Sequence, residues 1–283
     1  MNDFSIKKIL IPVDRDHPSL HAIEYGVILA KKFDSKVNII HVIPSDIIRE
    51  ISELDLNNKL KAELKGHLEQ NGRIAISNAK AILTEEGIPI ETSHLEYGNA
   101  KDTIREMSRN FDLIVIGSNG EEESYQWRLM PKEISNSKSN ILVIKGKKPF
   151  EKVLVGYDGS KASKTALRYA SEICWRFGAS LLVVHATKSN APVIRNITAE
   201  KSEALLTEAK DMIKNIEISK NFKSISQKPA EGLSEIAEKE DIGLIVIGKN
   251  GRSLINRLVM GSVSEKIIDI AQTSVLTVRP FIN

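Results

Sequence analysis

The constraint that weighs most on this chain is that it is written twice. Lys8-Ile-Leu-Ile-Pro-Val-Asp14 returns 144 residues later as Lys152-Val-Leu-Val-Gly-Tyr-Asp158. The same offset pairs Ala22 with Ala166, Tyr25 with Tyr169, Phe33 with Phe177 and His41 with His185. A later block, Leu113-Ile-Val-Ile-Gly117-Ser-Asn-Gly120, recurs at an offset of 131 as Leu244-Ile-Val-Ile-Gly248-Lys-Asn-Gly251, so the second copy is shorter in its middle. Two repeats of this size are two domains rather than a solenoid. The expected boundaries are 1–146 and 150–283. The linker Gly146-Lys-Lys-Pro-Phe150 is too short for the halves to wander far apart.

Within each copy, short apolar or β-branched runs alternate with amphipathic stretches. In the second, strands are expected near 152–157, 179–185, 222–227, 243–247 and 274–278, with helices near 161–177, 198–217, 231–239 and 262–271. The first copy predicts strands near 7–13, 36–43, 89–96, 112–116 and 140–145, and helices near 18–33, 56–87, 100–109 and 131–138. This alternation specifies an α/β fold, a parallel sheet covered on both faces. Right-handed crossovers make each domain doubly wound. Ligands in such sheets bind beyond the carboxyl ends of the strands, where strand order reverses. Asp14, Asp158, Gly117 and Gly248 fall at such ends.

The chemistry concentrates after the run Leu244-Ile-Val-Ile247. Gly248-Lys-Asn-Gly251 is followed by nine residues and then Gly261-Ser262. Glycines at a strand end allow a tight turn and a close approach of backbone N–H groups to a ligand. Gly261-Ser262 opens a helix, whose free N–H groups and positive dipole end favour an anion. No Asp or Glu occurs between Gly243 and Ser264, whereas Lys249, Arg252 and Arg257 do. Two anion-receptive segments in one loop point to a polyphosphate. A surface turn that binds nothing would account for Asn250-Gly251 but not for the distant Gly261-Ser262. The first copy has lost these features. Glu121, Glu122 and Glu123 follow Gly120, and Met130-Pro131 stands where Gly261-Ser262 stands in the second copy. Proline removes an N–H donor, and the carboxylates repel phosphate. Binding there through Arg128 and Lys132 is the weaker alternative. Asp14 persists, which leaves a nucleoside without phosphates open.

The loop resembles the nucleotide-binding motif of the universal stress protein family. The resemblance extends to the opening strand ending in Asp, to Ala166-Leu-x-Tyr-Ala170, to the strand ending in His185 and to the close Ser274-Val-Leu-Thr-Val-Arg-Pro280. It covers nearly the whole chain, twice, and so resembles a tandem member. It implies two five-stranded domains of the HUP, or adenine nucleotide alpha hydrolase-like, kind. These would pack through their final strands as a pseudo-dimer inside one chain, with a homodimer of chains optional. It further implies ATP in the C-terminal domain, with Mg²⁺ able to accompany it, and a nucleotide-responsive role in stress. By resemblance Asp158 contacts the nucleoside, with Gly156 and Tyr157 beside it, and Ala186 lines the adenine slot. The phosphates fall to Gly248, Gly251, Gly261, Ser262 and the backbone N–H of Val263. Lys249 and Arg252 either add charge or point to solvent, and His185 is structural. The second copy departs from the family where Lys228-Pro-Ala-Glu-Gly232 replaces a glycine turn like Gly98-Asn-Ala of the first, which leaves one wall of the site undefined. Two other readings stand beside this one. One is an interaction protein with a vestigial loop; the other is a slow ATPase, for which the sequence offers no nameable general base.

Composition narrows the field further. A net charge of +3 gives no case for nucleic acid. No apolar run has transmembrane length, and no secretory signal precedes the first strand. The single cysteine, Cys174, excludes an internal disulfide framework. It lies on the apolar stripe of Ala166, Leu167, Ala170, Ile173 and Phe177, where a buried inert thiol is expected. Together these features favour the cytoplasm. The Walker and Gly-x-Gly-x-x-Gly phosphate loops, zinc spacing and a Gly-x-Ser-x-Gly elbow are all absent.

Overall fold

A computed structural model of the chain describes residues 6–15, 17–118, 139–187, 195–249 and 262–280. The chain divides into two compact units, Ser5–Ser139 and Asn140–Asn283. In the first, strands β1 (Lys8–Pro12), β2 (Lys36–Pro44), β3 (Ile90–Gly98) and β4 (Leu113–Gly117) lie in the order β3-β2-β1-β4 and are parallel. The helices are α1 (His17–Phe33), α2 (Ser45–Glu53), α3 (Asn58–Glu85) and α4 (Ala100–Met107).

The second unit carries β5 (Asn140–Ile144), β6 (Lys152–Gly156), β7 (Ser180–Ala186), β8 (Lys220–Ile225), β9 (Leu244–Gly248) and β10 (Ser274–Val278). Its helices are α5 (Lys161–Phe177), α6 (Arg195–Met212), α7 (Pro229–Lys239) and α8 (Ser262–Ile270). The strand order is β5-β10-β9-β6-β7-β8. Five strands are parallel. The sixth, β5, pairs antiparallel to β10 through Val275↔Val143, Leu276↔Leu142 and Thr277↔Ile141. The sequence counts β5 with the first repeat, up to residue 146. In the fold it clusters with the second unit, to which this ladder ties it.

Local chemistry explains the elements. β9 is apolar along its length, and β10 buries Ser274 and Thr277 among apolar residues, as the interior of a parallel sheet covered on both faces requires; every residue of β10 and all but the last of β9 are buried. β8, at the end of the sheet, alternates instead and carries Lys220 and Lys223, which discourage further strand pairing. Helix α5 starts at the cap Ser160, whose side chain accepts from the Ser163 N–H. It buries the stripe Ala162, Ala166, Tyr169, Ala170 and Ile173. It stops at Gly178, held at φ 67°, a left-handed value that glycine adopts without penalty. Burying each large apolar side chain of such a stripe stabilises the fold by roughly 1.5–3 kcal/mol.

One local feature differs from the sequence expectation. Helix α2 is absent from the sequence expectation: it is amphipathic, but its nine residues are shorter than the length that sets a helix apart from a loop, and Ile51 is its buried residue. Gly232 lies inside α7, within the helix expected at 231–239, where a Cβ would come within 2.6 Å of Ile225. Pro229 opens that helix and needs no N–H there. The helix expected at 131–138 lies outside the described residues. Among the described residues no helix is long and apolar enough to cross a membrane.

Candidate functional site

From β6 the second unit's sheet grows towards β7 and β8 on one side and towards β9 and β10 on the other. The reversal lies between β6 and β9, the place where this architecture leaves a crevice at the carboxyl edge. Gly156 ends β6 and Gly248 ends β9, so the Asp158 turn and the start of the glycine loop emerge on either side of the crevice.

Asp158 is held in place by its own turn. Its Oδ1 accepts from the Ser160 N–H at 3.0 Å, and its N–H donates to Ser163 Oγ at 3.3 Å. Gly159 takes φ 79°, a left-handed value that a side chain would strain. Tyr157, beside Asp158, turns inward. Its hydroxyl donates to Glu208 Oε2 of α6 at 2.8 Å, and Glu208 also pairs with Lys164. Burial and then the Glu208 carboxylate raise the phenol's pKa. The Lys164 ammonium, followed by the Tyr157 hydroxyl, holds Glu208 below its ordinary range. The Tyr157 side chain is therefore buried against Glu208, and its backbone N–H donates to the Val184 carbonyl at 2.8 Å.

His185 holds the same residue. Its Nδ1 lies 2.7 Å from the Tyr157 carbonyl; a carbonyl only accepts, so Nδ1 carries the proton. The first repeat builds the same clamp from His41 Nδ1 to the Val13 carbonyl at 2.7 Å. Both histidines fasten the end of one strand to its neighbour. Ala186 is the last residue of β7 and pairs with Ile225.

On the β9 side, Gly248 has a packing reason to be glycine. A Cβ there would meet the Ala162 carbonyl carbon at 2.6 Å, so the strand end lies against the first turn of α5. Ser262 and Val263 open α8, Ser262 exposed and Val263 half-buried. Gly251, Arg252 and Gly261 lie outside the described residues, as do Glu121, Glu122, Glu123, Arg128, Met130, Pro131 and Lys132 of the first copy.

Two residues of this edge take on a definite place only in the structure. Ser264 is buried, and its Oγ donates to the Gly248 carbonyl at 2.9 Å. This bond ties the first turn of α8 to the end of β9 and so holds both ends of the loop together. Nothing in the spacing of the glycine motif signals it. Lys249 is not directed to solvent: it is 4% exposed. Burial, then the nearby Arg279 cation, push its pKa down to about 7. Ser163 was legible in principle, since the 144-residue offset pairs it with Ser19. Ser19 Oγ donates to Asp14 Oδ1 at 2.5 Å and accepts from the Asp14 N–H at 3.0 Å. The first repeat thus fastens its aspartate to α1, and Arg15 Nη1 donates to Asn71 Oδ1 of α3 at 2.7 Å beside it. Cys174 is buried, and burial pushes its thiol up to about 12, which makes it unreactive.

Comparison with known proteins agrees with this architecture. A universal stress protein of Mycolicibacterium smegmatis is 25% identical, with 96% of this chain and 97% of that protein aligned. One of Synechocystis is 23% identical, across 97% of this chain and all of the relative. The crystal structure of a universal stress protein from Archaeoglobus fulgidus superposes with a TM-score of 0.73 at 20% identity; it covers 98% of this chain and 97% of that one, a likeness of fold. The sequence profile described as the universal stress protein family matches residues 5–130 and again 149–279. With both of its repeats matched, the chain belongs to the universal stress protein family.

Proposed function

We propose that the second repeat binds ATP in the crevice between β6 and β9, and that the protein is a nucleotide-responsive stress regulator of the cytoplasm. The observation that carries this reading is the Ser264–Gly248 hydrogen bond. It fixes the N-terminus of α8 beside the end of β9, and a helix N-terminus with its free N–H groups and positive dipole end favours an anion. Asp158 and Gly156 meet the nucleoside across the crevice, with Ala186 beside the base. Gly248, Gly251, Gly261, Ser262 and the Val263 N–H hold the phosphates, and Arg252 adds charge. Mg²⁺ enters on the phosphate oxygens and neutralises charge there. A pseudo-dimer of the two repeats within one chain, with a homodimer of chains optional, belongs to the same proposal. Domains at 1–146 and 150–283, each built on one copy of the repeat, complete the proposal. Mass spectrometry of small molecules released from the purified protein tests it. An adenine nucleotide is the expected release; protein that carries none and takes up none on addition overturns the reading in favour of a nucleotide-independent interaction protein.

A further inference from the structure

We propose that Lys145 is a positioning residue for the nucleotide site. It stands just past β5, a strand that the sequence counts with the first repeat. From there it clamps the far end of α8 and so sets the aim of the N–H groups at that helix's start. This rests on the nucleotide reading of the second repeat, and it brings a residue of the first repeat's sequence to a site whose other members all come from the second.

Strand pairing places Lys145. β5 runs antiparallel to β10, with Leu142 opposite Leu276, so the end of β5 meets the start of β10. Helix α8 finishes at the same end of the sheet: it stops at Ile270, and β10 opens at Ser274. The Lys145 N–H donates to Ser274 Oγ at 3.1 Å, which fixes the backbone from which the side chain leaves. Its ammonium donates to the Ala271 carbonyl at 2.6 Å and to the Ile268 carbonyl. The last turn of a helix leaves such carbonyls without a partner inside the helix, and a cation there also opposes the negative end of the dipole. Lys145 is half-buried. Burial lowers its pKa and the Asp269 carboxylate raises it back in part, so the enclosed charge is held by groups of α8 and its end.

α8 is therefore gripped at both ends. Ser264 Oγ ties its first turn to the Gly248 carbonyl at 2.9 Å, and Lys145 ties its last turn to the end of β5. Nine residues make roughly 13 Å of helix, short enough for one loosened end to re-aim the other. The free N–H groups of the first turn point along the axis, so a tilt of the axis turns them away from a bound phosphate. With the Lys145 tie removed, the helix can pivot about the Ser264 bond.

The test uses the full chain, the variants Lys145→Met and Lys145→Arg, and a control of comparable kind in the first unit. The control is Ser35→Ala, which removes the buried bond from Ser35 Oγ to the Ile6 carbonyl at 2.5 Å. Thermal melting verifies folding, and ATP is titrated calorimetrically well below every melting temperature. Lys145→Met is expected to weaken ATP roughly four-fold or more, within the range of coupling carried through packed elements. Lys145→Arg recovers part of the loss, and Ser35→Ala changes affinity by less than about two-fold, as an independent site does. A Lys145→Met protein that melts early yet binds ATP no worse than Ser35→Ala has lost only stability, and that overturns the proposal. Should Lys145→Met not fold, hydrogen exchange on the wild-type chain decides. The Ala271 N–H donates to the Ile267 carbonyl at 3.0 Å in the clamped turn, and ATP is expected to slow its exchange because coupling between two ends of one element is reciprocal; exchange there unchanged by ATP overturns the proposal. A wild-type chain that takes up no ATP removes the nucleotide reading and this inference with it, whereas normal wild-type binding with unaffected variants removes this inference alone.

Discussion

Ser262 and Ser264 lie two residues apart in the first turn of α8, about 200° apart around the helix, and their substitutions are expected to give opposite signatures. Ser264 is 3% exposed and donates to the Gly248 carbonyl at 2.9 Å. Ser264→Ala removes one buried neutral hydrogen bond and leaves a carbonyl less well satisfied, which costs about 1 kcal/mol of stability. For a unit of this size that lowers the melting temperature by roughly 2–4 °C. Affinity for ATP falls only a few-fold, because the α8 donors remain but are less rigidly placed. Ser262 is exposed. Ser262→Ala is therefore expected to change stability by less than about 0.5 kcal/mol. If its hydroxyl holds a phosphate oxygen, the loss in binding is about 1.5–3 kcal/mol, roughly ten- to hundred-fold in Kd. Differential scanning calorimetry and ATP titration of both variants make the comparison. A Ser262→Ala protein that melts early yet binds ATP normally, alongside a Ser264→Ala protein of unchanged melting temperature, would refute the division of roles.

Gly248→Ala should destabilise the protein by about 1–3 kcal/mol whether or not nucleotide is present, since its Cβ would press on the Ala162 backbone; denaturant unfolding with and without ATP checks this. Leu276→Pro strikes a strand paired on both sides, to Val246 and to Leu142. It should cost at least the ~2–5 kcal/mol of a buried leucine truncation, with the lost ladder N–H added, and early proteolysis near β5 is the readout. Lys249→Met should stabilise the fold more at pH 6 than at pH 10. The folded-state pKa is depressed to about 7 from the ordinary 10.5, so between these values the unfolded chain binds more protons and stability rises with pH. Melting curves of both proteins across that range test the sign.

The sequence discloses most where a rule is local. The apolar runs of β9 and β10 and the cap-to-glycine span Ser160 to Gly178 are visible because burial on both faces and helix capping leave direct marks on composition. What stays hidden depends on partners distant in the chain. Lys249 is left open between adding charge and pointing to solvent, and the structure buries it. Tyr157 reads as a site residue from its neighbours, yet its ring points to Glu208, 51 residues on. Gly232 falls in the expected helix 231–239, but the reason for a glycine there, close contact with Ile225, comes from a residue outside the helix.

The most direct test of nucleotide binding in the second repeat is calorimetric titration of the nucleotide-stripped full chain with ATP, run beside Gly261→Val, which puts a branched side chain where phosphate meets backbone. One site per chain, lost in the variant while the fold persists, is the predicted result. Two equivalent sites, or a single site that survives Gly261→Val unchanged, would contradict it.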